Sequence, residues 1–184
     1  MHAIIIIKQP LMYKYLFSAI FIFYSSYIVA QAYPNNFNNH EVKINIGQFL
    51  ATSTVETSYE YYITEDASLG GTLYFNGDAT DYNGNFGIGP NLRAYFGYNP
   101  RSGFFAEVFG LYYTGEDSEL SQSLGNRDYD YATTALGLGA GSKWTTRSQR
   151  FILEINLGLG RNINPEDFQN DFMFRAGLSL GFRF

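Results

Sequence analysis

The sequence has no cysteine and only two histidines, His2 and His40, among its 184 residues. Without cysteine it can form neither a disulfide framework nor a thiolate metal site. Activation of a hydroxyl nucleophile needs a nearby base, most often histidine, and both histidines precede the first predicted strand. We therefore expect that the protein is not an enzyme, with no catalytic residue, no metal site and no cofactor.

The chain also lacks any cluster of basic residues. It carries 12 Lys and Arg against 17 Asp and Glu, a net charge of −5 at pH 7, so nucleic acid is not an expected partner. After residue 32 no apolar run approaches the roughly 20 residues that a membrane-spanning helix needs. Beyond that point the chain can enter a membrane only as strands closed into a barrel, because lipid offers a free backbone group no hydrogen-bond partner.

The first 32 residues predict a signal peptide. Lys8 and Lys14 supply positive charge, residues 16–29 form an apolar run, and Ala30-Gln31-Ala32 is a small-x-small cleavage pattern. Cleavage could follow Ala30 or Ala32. The exported chain, residues 33–184, is then expected to form one outer-membrane β-barrel.

Aromatic residues and glycine are abundant, with 16 Tyr, 17 Phe and 19 Gly. In the last stretch, residues 172–184 (FMFRAGLSLGFRF), every second residue is apolar and those between are mostly small or cationic. Successive strand side chains point to opposite faces, and this length suits a membrane-crossing strand of about 9–11 residues. The aromatic ending, with Phe182 and Phe184, resembles the signal that barrel-assembly machinery recognises on the last strand of outer-membrane barrels.

Eight such runs predict an all-β fold, an eight-stranded antiparallel up-and-down transmembrane barrel. The predicted strands are Val42–Phe49, Val55–Ile63, Leu69–Phe75, Phe86–Tyr98, Phe104–Thr114, Tyr131–Trp144, Phe151–Arg161 and Phe172–Phe184. Short connections follow strands two, four and six, and longer ones follow three, five and seven, as periplasmic turns and outside loops do in such barrels. The first outside loop, residues 50–54, is an exception because it is short.

The alternation places charges of both signs on the inward face. These charges predict an interior network of salt bridges that closes an eight-stranded barrel, since lone buried charges are penalised and paired ones are tolerated. Its expected members are Lys43, Glu56, Glu60, Arg93, Glu107, Lys143, Glu154, Arg175 and Arg183.

Two strands depart from the pattern. In strand five, an inward Glu107 carries Phe105 and Phe109 inward with it. Pro90 lies within strand four, where we expect a bulge because proline cannot donate a ladder hydrogen bond.

Aromatic residues are also predicted to form two girdles at the lipid interfaces. The turn-end girdle would contain Tyr61, Phe96, Tyr98, Phe104, Trp144, Phe151, Phe182 and Phe184, and the loop-end girdle Phe75, Phe86, Tyr112, Tyr113, Tyr129, Tyr131 and Phe172.

Five motifs resemble a family of small outer-membrane barrels of Gram-negative bacteria that is catalogued as a domain of unknown function. They are GPNLRAYFG (89–97), GFFAEVFGLYYTG (103–115), GLGAGSKWTT (137–146), FILEINLGLGRN (151–162) and GLSLGFRF (177–184). The resemblance implies the barrel fold but no reaction.

We expect a bacterial outer-membrane protein with a structural or surface-interaction role. Its expected partners are outer-membrane lipid, lipopolysaccharide and the barrel-assembly machinery, and any extracellular partner is unknown. Two alternatives remain open: a narrow channel or transporter for a small or hydrophobic solute, and a soluble lipocalin-like ligand-binding barrel.

Overall fold

A computed structural model describes residues 38–77, 84–97, 99–116, 130–163, 165 and 169–184. The predicted signal peptide, residues 1–32, lies outside this part of the chain. The described residues form one helix and eight strands, in the order β1 (His40–Asn45), α1 (Ile46–Thr52), β2 (Val55–Tyr62), β3 (Ala67–Phe75), β4 (Phe86–Phe96), β5 (Gly103–Glu116), β6 (Asp130–Thr145), β7 (Phe151–Ile163) and β8 (Phe172–Arg183). Among these residues, no helix has the length and apolar character needed to cross a membrane.

The strands form a closed antiparallel barrel in which each strand pairs with its neighbour in sequence and β8 pairs with β1. The prediction of an eight-stranded antiparallel barrel is therefore confirmed. Closure is completed by a backbone pair at the turn end, where His40 and Phe184 exchange N–H···O=C hydrogen bonds of 3.2 and 2.8 Å. Closure leaves no free sheet edge at that end.

The predicted first strand is wrong in its second half. β1 ends at Asn45, and the four residues that alternation assigned to a strand begin α1 instead. Asn45 caps this helix, because its side-chain oxygen accepts a hydrogen bond of 3.1 Å from the Gln48 N–H. At the other end, Ser53 adopts a left-handed conformation with φ 56° and its N–H donates to the Phe49 carbonyl.

The bulge predicted at Pro90 is absent. β3 pairs with β4 in one unbroken register that includes Gly71 opposite Pro90. The register between β4 and β5 is the same before and after Pro90, with Ile88 opposite Tyr112 and Asn91 opposite Phe109. Proline therefore costs a ladder hydrogen bond here without inserting an extra residue.

The loop-end half of the interior is filled by apolar side chains. Phe109, Leu111 and Tyr113 of β5 pack with Tyr74, Ala135 and Met173, and Tyr131 covers part of this cluster. Glycines on the inner face make room for the rings, since a Cβ on Gly137 would lie 2.3 Å from the Phe109 ring. As the alternation of strand five indicated, Phe105 and Phe109 point inward beside Glu107.

The outer wall is apolar. Thirty large hydrophobic side chains among the described residues are exposed, and most of them lie on the outward face of a strand. In the turn-end girdle all members but Tyr98, which lies outside the described residues, are exposed. The loop-end prediction is wrong for Tyr113, which is buried, and for Tyr131, which packs inside, because both share the inward parity of their strands. Tyr129 lies outside the described residues.

Candidate functional site: the charged interior

Two lysines and three glutamates form the centre of the turn-end interior. Lys43 Nζ lies 2.8 Å from both Glu60 Oε2 and Glu154 Oε2. Lys143 Nζ lies 2.8 Å from Glu41 Oε1 and 2.9 Å from Glu60 Oε2. These side chains come from β1, β2, β6 and β7, so the contacts cross the lumen and bridge opposite walls of the barrel.

Arg93 extends this centre toward β5. Its Nε donates to Glu107 at 2.6 Å, and its Nη1 donates to Glu60 at 3.1 Å and to Glu154 at 2.9 Å. The guanidinium also lies over the Phe105 ring, 4.5 Å from its centroid. A planar guanidinium holds its N–H groups in fixed directions, so that Nε and Nη1 of Arg93 contact different carboxylates.

Arg183 closes the turn end. Its Nη2 donates to Glu41 at 3.0 Å, to the Tyr62 hydroxyl at 3.0 Å and to the Arg101 carbonyl at 2.9 Å. The Tyr62 hydroxyl in turn donates to Glu41 at 2.6 Å. Arg101 belongs to the turn between β4 and β5, where burial, and next the charge of Arg183, lower the pKa of its guanidinium. The last residues of β8 are thereby tied to a turn on the far side of the barrel end.

Arg175 and Glu56 form a separate pair, 3.1 Å apart, that joins β8 to β2. Arg175 Nη1 also approaches Glu107 Oε1 at 3.6 Å, which links this pair to the rest of the network. Both side chains are more exposed, at 11% and 14%, than those of the central cluster, at 4% or less. The network is therefore least shielded from solvent at this pair, between β8 and β2, which is the least sealed part of the interior.

The described interior is balanced in charge. Five carboxylates (Glu41, Glu56, Glu60, Glu107 and Glu154) meet five cations (Lys43, Arg93, Lys143, Arg175 and Arg183) in its ion pairs. Oxygens of Glu41, Glu60 and Glu154 lie within 4.8 Å of one another, a spacing that could suit a metal ion. The two lysine ammonium groups already supply the positive charge at this point, so these carboxylates are counter-ions of lysine.

The predicted assembly signal and the one histidine of the described chain lie on the outer surface at the turn end. Phe182 packs edge-on against Phe151, with ring centroids 5.6 Å apart, and is exposed. Phe184 is exposed and stacks on His40. His40 Nδ1 lies 2.6 Å from the Tyr59 hydroxyl.

All nine predicted network residues point inward and make ion pairs, but sequence reasoning missed several of their partners. Glu41 lies one residue before the predicted first strand, although it shares the parity of Lys43 and Asn45 and could be found by extending the alternation by one step. Tyr62 and Tyr95 share the parity of Glu60 and Arg93 in the same way. Tyr95 donates to Glu60, and so does Ser68.

Fold and interior together define a class: a small closed antiparallel β-barrel with an apolar outer wall and a packed, charge-paired lumen. The chain belongs to the family described as "Protein of unknown function (DUF3575)", which matches residues 17–170. This confirms the predicted family of small barrels.

Among solved structures, the chain is similar to the N-terminal β-barrel domain of Pseudomonas aeruginosa OprF. The TM-score is 0.57 and the sequence identity 18%, and the match covers 80% of this chain and 98% of that domain. At this identity the likeness concerns the fold. No curated protein sequence matches the chain.

Proposed function

We propose that the protein is exported, loses a signal peptide that ends at Ala30 or Ala32, and resides in the bacterial outer membrane as a barrel with a structural or surface-interaction role. Its immediate partners are then outer-membrane lipid and lipopolysaccharide. Phe182 and Phe184 serve as the signal for the barrel-assembly machinery. Any surface partner would meet the long outside loops, most of which lie outside the described residues.

One observation carries this proposal, the polarity of the barrel wall. Outward strand positions hold Leu, Ile, Val, Phe, Tyr, Ala and Trp along most of their length. Of the outward strand side chains that the structure describes, only Arg161 near the loop end of β7 is a Lys, Arg, Asp or Glu. An apolar band outside and polar groups inside are typical of membrane barrels. A contiguous exposed apolar surface of this size has to be shielded from water by lipid or by another protein.

The same polarity disfavours a soluble lipocalin-like barrel. A soluble barrel that binds a hydrophobic ligand keeps apolar side chains inside and polar ones outside. Here the turn-end lumen holds eight charged side chains, and the loop-end lumen is filled by the cluster around Phe109. Among the described residues, both halves of the lumen are therefore occupied by these side chains.

Fractionation with gel electrophoresis tests the proposal. We expect the mature protein in the outer-membrane fraction, and an unheated sample in detergent that migrates differently from a boiled one, because a closed barrel resists unfolding by detergent. Cytoplasmic and periplasmic marker proteins control the fractionation. A protein that stays soluble and monomeric without detergent would contradict the proposal.

Planar-bilayer recording separates the structural role from the channel alternative. Lys43, Arg93 and Lys143 reach across the turn-end lumen to carboxylates on other strands, so we expect no stable conductance from the purified barrel. An empty-bilayer trace and a known open porin are the controls. Reproducible single-channel steps from purified protein would favour the channel.

A further inference from the structure

The wall of the barrel is incomplete beside α1. β8 pairs with β7 from Phe172 to Phe182, but with β1 only from Ser179 to Arg183. Within the described part of the chain, the loop-end half of β8 therefore has no neighbouring strand on its β1 side. α1 occupies this place and packs against β8, where a Cβ on Gly47 would lie 3.1 Å from the Leu178 Cβ.

Side chains replace part of the missing ladder. The Leu178 N–H donates to the Asn45 side chain at 3.2 Å, and the Ala176 carbonyl accepts from Gln48 Nε2 at 3.1 Å. The Ala176 N–H has no hydrogen-bond partner among the described residues. In lipid an unpaired backbone group of this kind is costly, because no water is present to replace the missing partner.

α1 itself is weakly held. It has seven residues, none of them buried, and it ends at Ser53 with a left-handed backbone that favours glycine. Helices of this length are marginal without strong packing. In its sequence, IGQFLAT, Ile46 and Leu50 fall on the outward parity of Val42 and Ile44, together with the polar Gln48.

Both existing registers accept a longer β1. Ile44 pairs with Leu180 of β8 and with Thr57 of β2. In the same registers, Ile46 would face Leu178 and Val55, and Gln48 would face Ala176 and Ser53. Residues 49–52 would then form a four-residue hairpin loop, a common length. The strand form supplies a backbone partner for the Ala176 N–H.

We propose that residues 46–52 form a helix-to-strand switch in the barrel wall. As α1 they leave the loop-end half of the seam between β8 and β2 without a continuous ladder. As an extension of β1 through Gln48 they close it. The Glu56–Arg175 pair joins β2 and β8 directly behind this seam, so the switch controls lateral access to the least sealed part of the interior. This inference rests on the proposed membrane location, because lipid drives the closed form.

Two separate double-cysteine variants, both with Gly47→Cys, trap the two forms. The sequence has no native cysteine that could form a competing disulfide. Gly47→Cys with Leu178→Cys traps the helix, because the Cβ separation is close to that of a disulfide. Gly47→Cys with Thr54→Cys traps the strand, since these residues are cross-strand partners there but about 10 Å apart along a helix. Leu153→Cys with Leu180→Cys joins paired residues of β7 and β8 and serves as the control staple.

Carbon chemical shifts of residues 46–48 and hydrogen exchange at Ala176 are then measured by NMR in lipid nanodiscs. We expect the wild type and the control staple to show both forms, as two signal sets or as exchange between the shifts of the two trapped variants. Exchange at the Ala176 N–H should be at least tenfold slower in the strand-trapped variant than in the helix-trapped one.

Wild-type shifts that equal those of the helix-trapped variant, with no exchange contribution, would overturn the switch. If a disulfide prevents folding, the wild-type spectrum still shows which form residues 46–48 adopt. Carbon shifts deviate from random-coil values with opposite signs in helix and strand. Failure of the barrel to enter nanodiscs would instead contradict the membrane location. Spectra in micelles would then still report whether residues 46–52 change form.

Discussion

Replacement of Lys143 by Met is expected to destabilise the barrel by about 3–5 kcal/mol, the usual cost of removing one partner of a buried ion pair. Lys143 is fully buried, and its ammonium contacts Glu41, Glu60 and, at 3.4 Å, Glu154. It also donates to the hydroxyls of Tyr62 and Tyr95. Urea unfolding of the reconstituted barrel, followed by Trp fluorescence and by gel mobility, measures the loss.

Arg150→Met is the matched control for this prediction. Arg150 is exposed in the turn between β6 and β7, so the same loss of one positive charge should change the free energy of unfolding by less than about 0.5 kcal/mol. Adding Glu41→Gln to Lys143→Met should recover part of the loss, because it removes one uncompensated charge and the two effects are not additive. If Lys143→Met unfolds with the same free energy as the wild type, the interior ion pairs do not stabilise the barrel.

Replacement of Leu138 by Arg is expected to cost about 2–4 kcal/mol in a bilayer, the range for an arginine at the midplane of a membrane barrel. Leu138 lies near the middle of β6 on the outward face, and 67% of its surface is exposed in the isolated chain. The measurement is the free energy of unfolding in lipid vesicles, together with the yield of folded barrel.

Ile63→Arg provides the depth control. Ile63 follows β2 at the turn end and is comparably exposed, at 58%, so the same change should cost only about 0–1 kcal/mol near the interface. A barrel surrounded by water would tolerate both changes equally, because neither residue is buried. Equal and small effects at the two positions would therefore contradict the membrane location.

Local alternation was sufficient to predict the number of strands and the inward face of each one. Lys43, Glu154 and Arg175 could be placed inside because each is flanked by outward apolar residues. The same rule also places Tyr113 and Tyr131 inside. The predicted loop-end girdle included them because it grouped aromatic residues by their position along the strand and not by their face. Glu41 was missed because the predicted strand begins at Val42, one residue too late.

The helix α1 could not be predicted from local pattern. Ile46 keeps the outward parity of Val42 and Ile44, and the helix depends in part on a contact made at a distance. The Asn45 side chain accepts from Gln48 N–H and from Leu178 N–H, and only the first of these partners is near in sequence.

What the sequence determines by itself is thus the class of fold and the polarity of its two faces. A side chain's face depends on a two-residue period, which is a local property of the chain. The tertiary structure decided which charges pair, as in the contacts of Lys143 with Glu41 and of Lys43 with Glu154, 102 and 111 residues apart. It also decided where β1 ends. Both depend on strand register and closure of the barrel, which are set by contacts between distant strands.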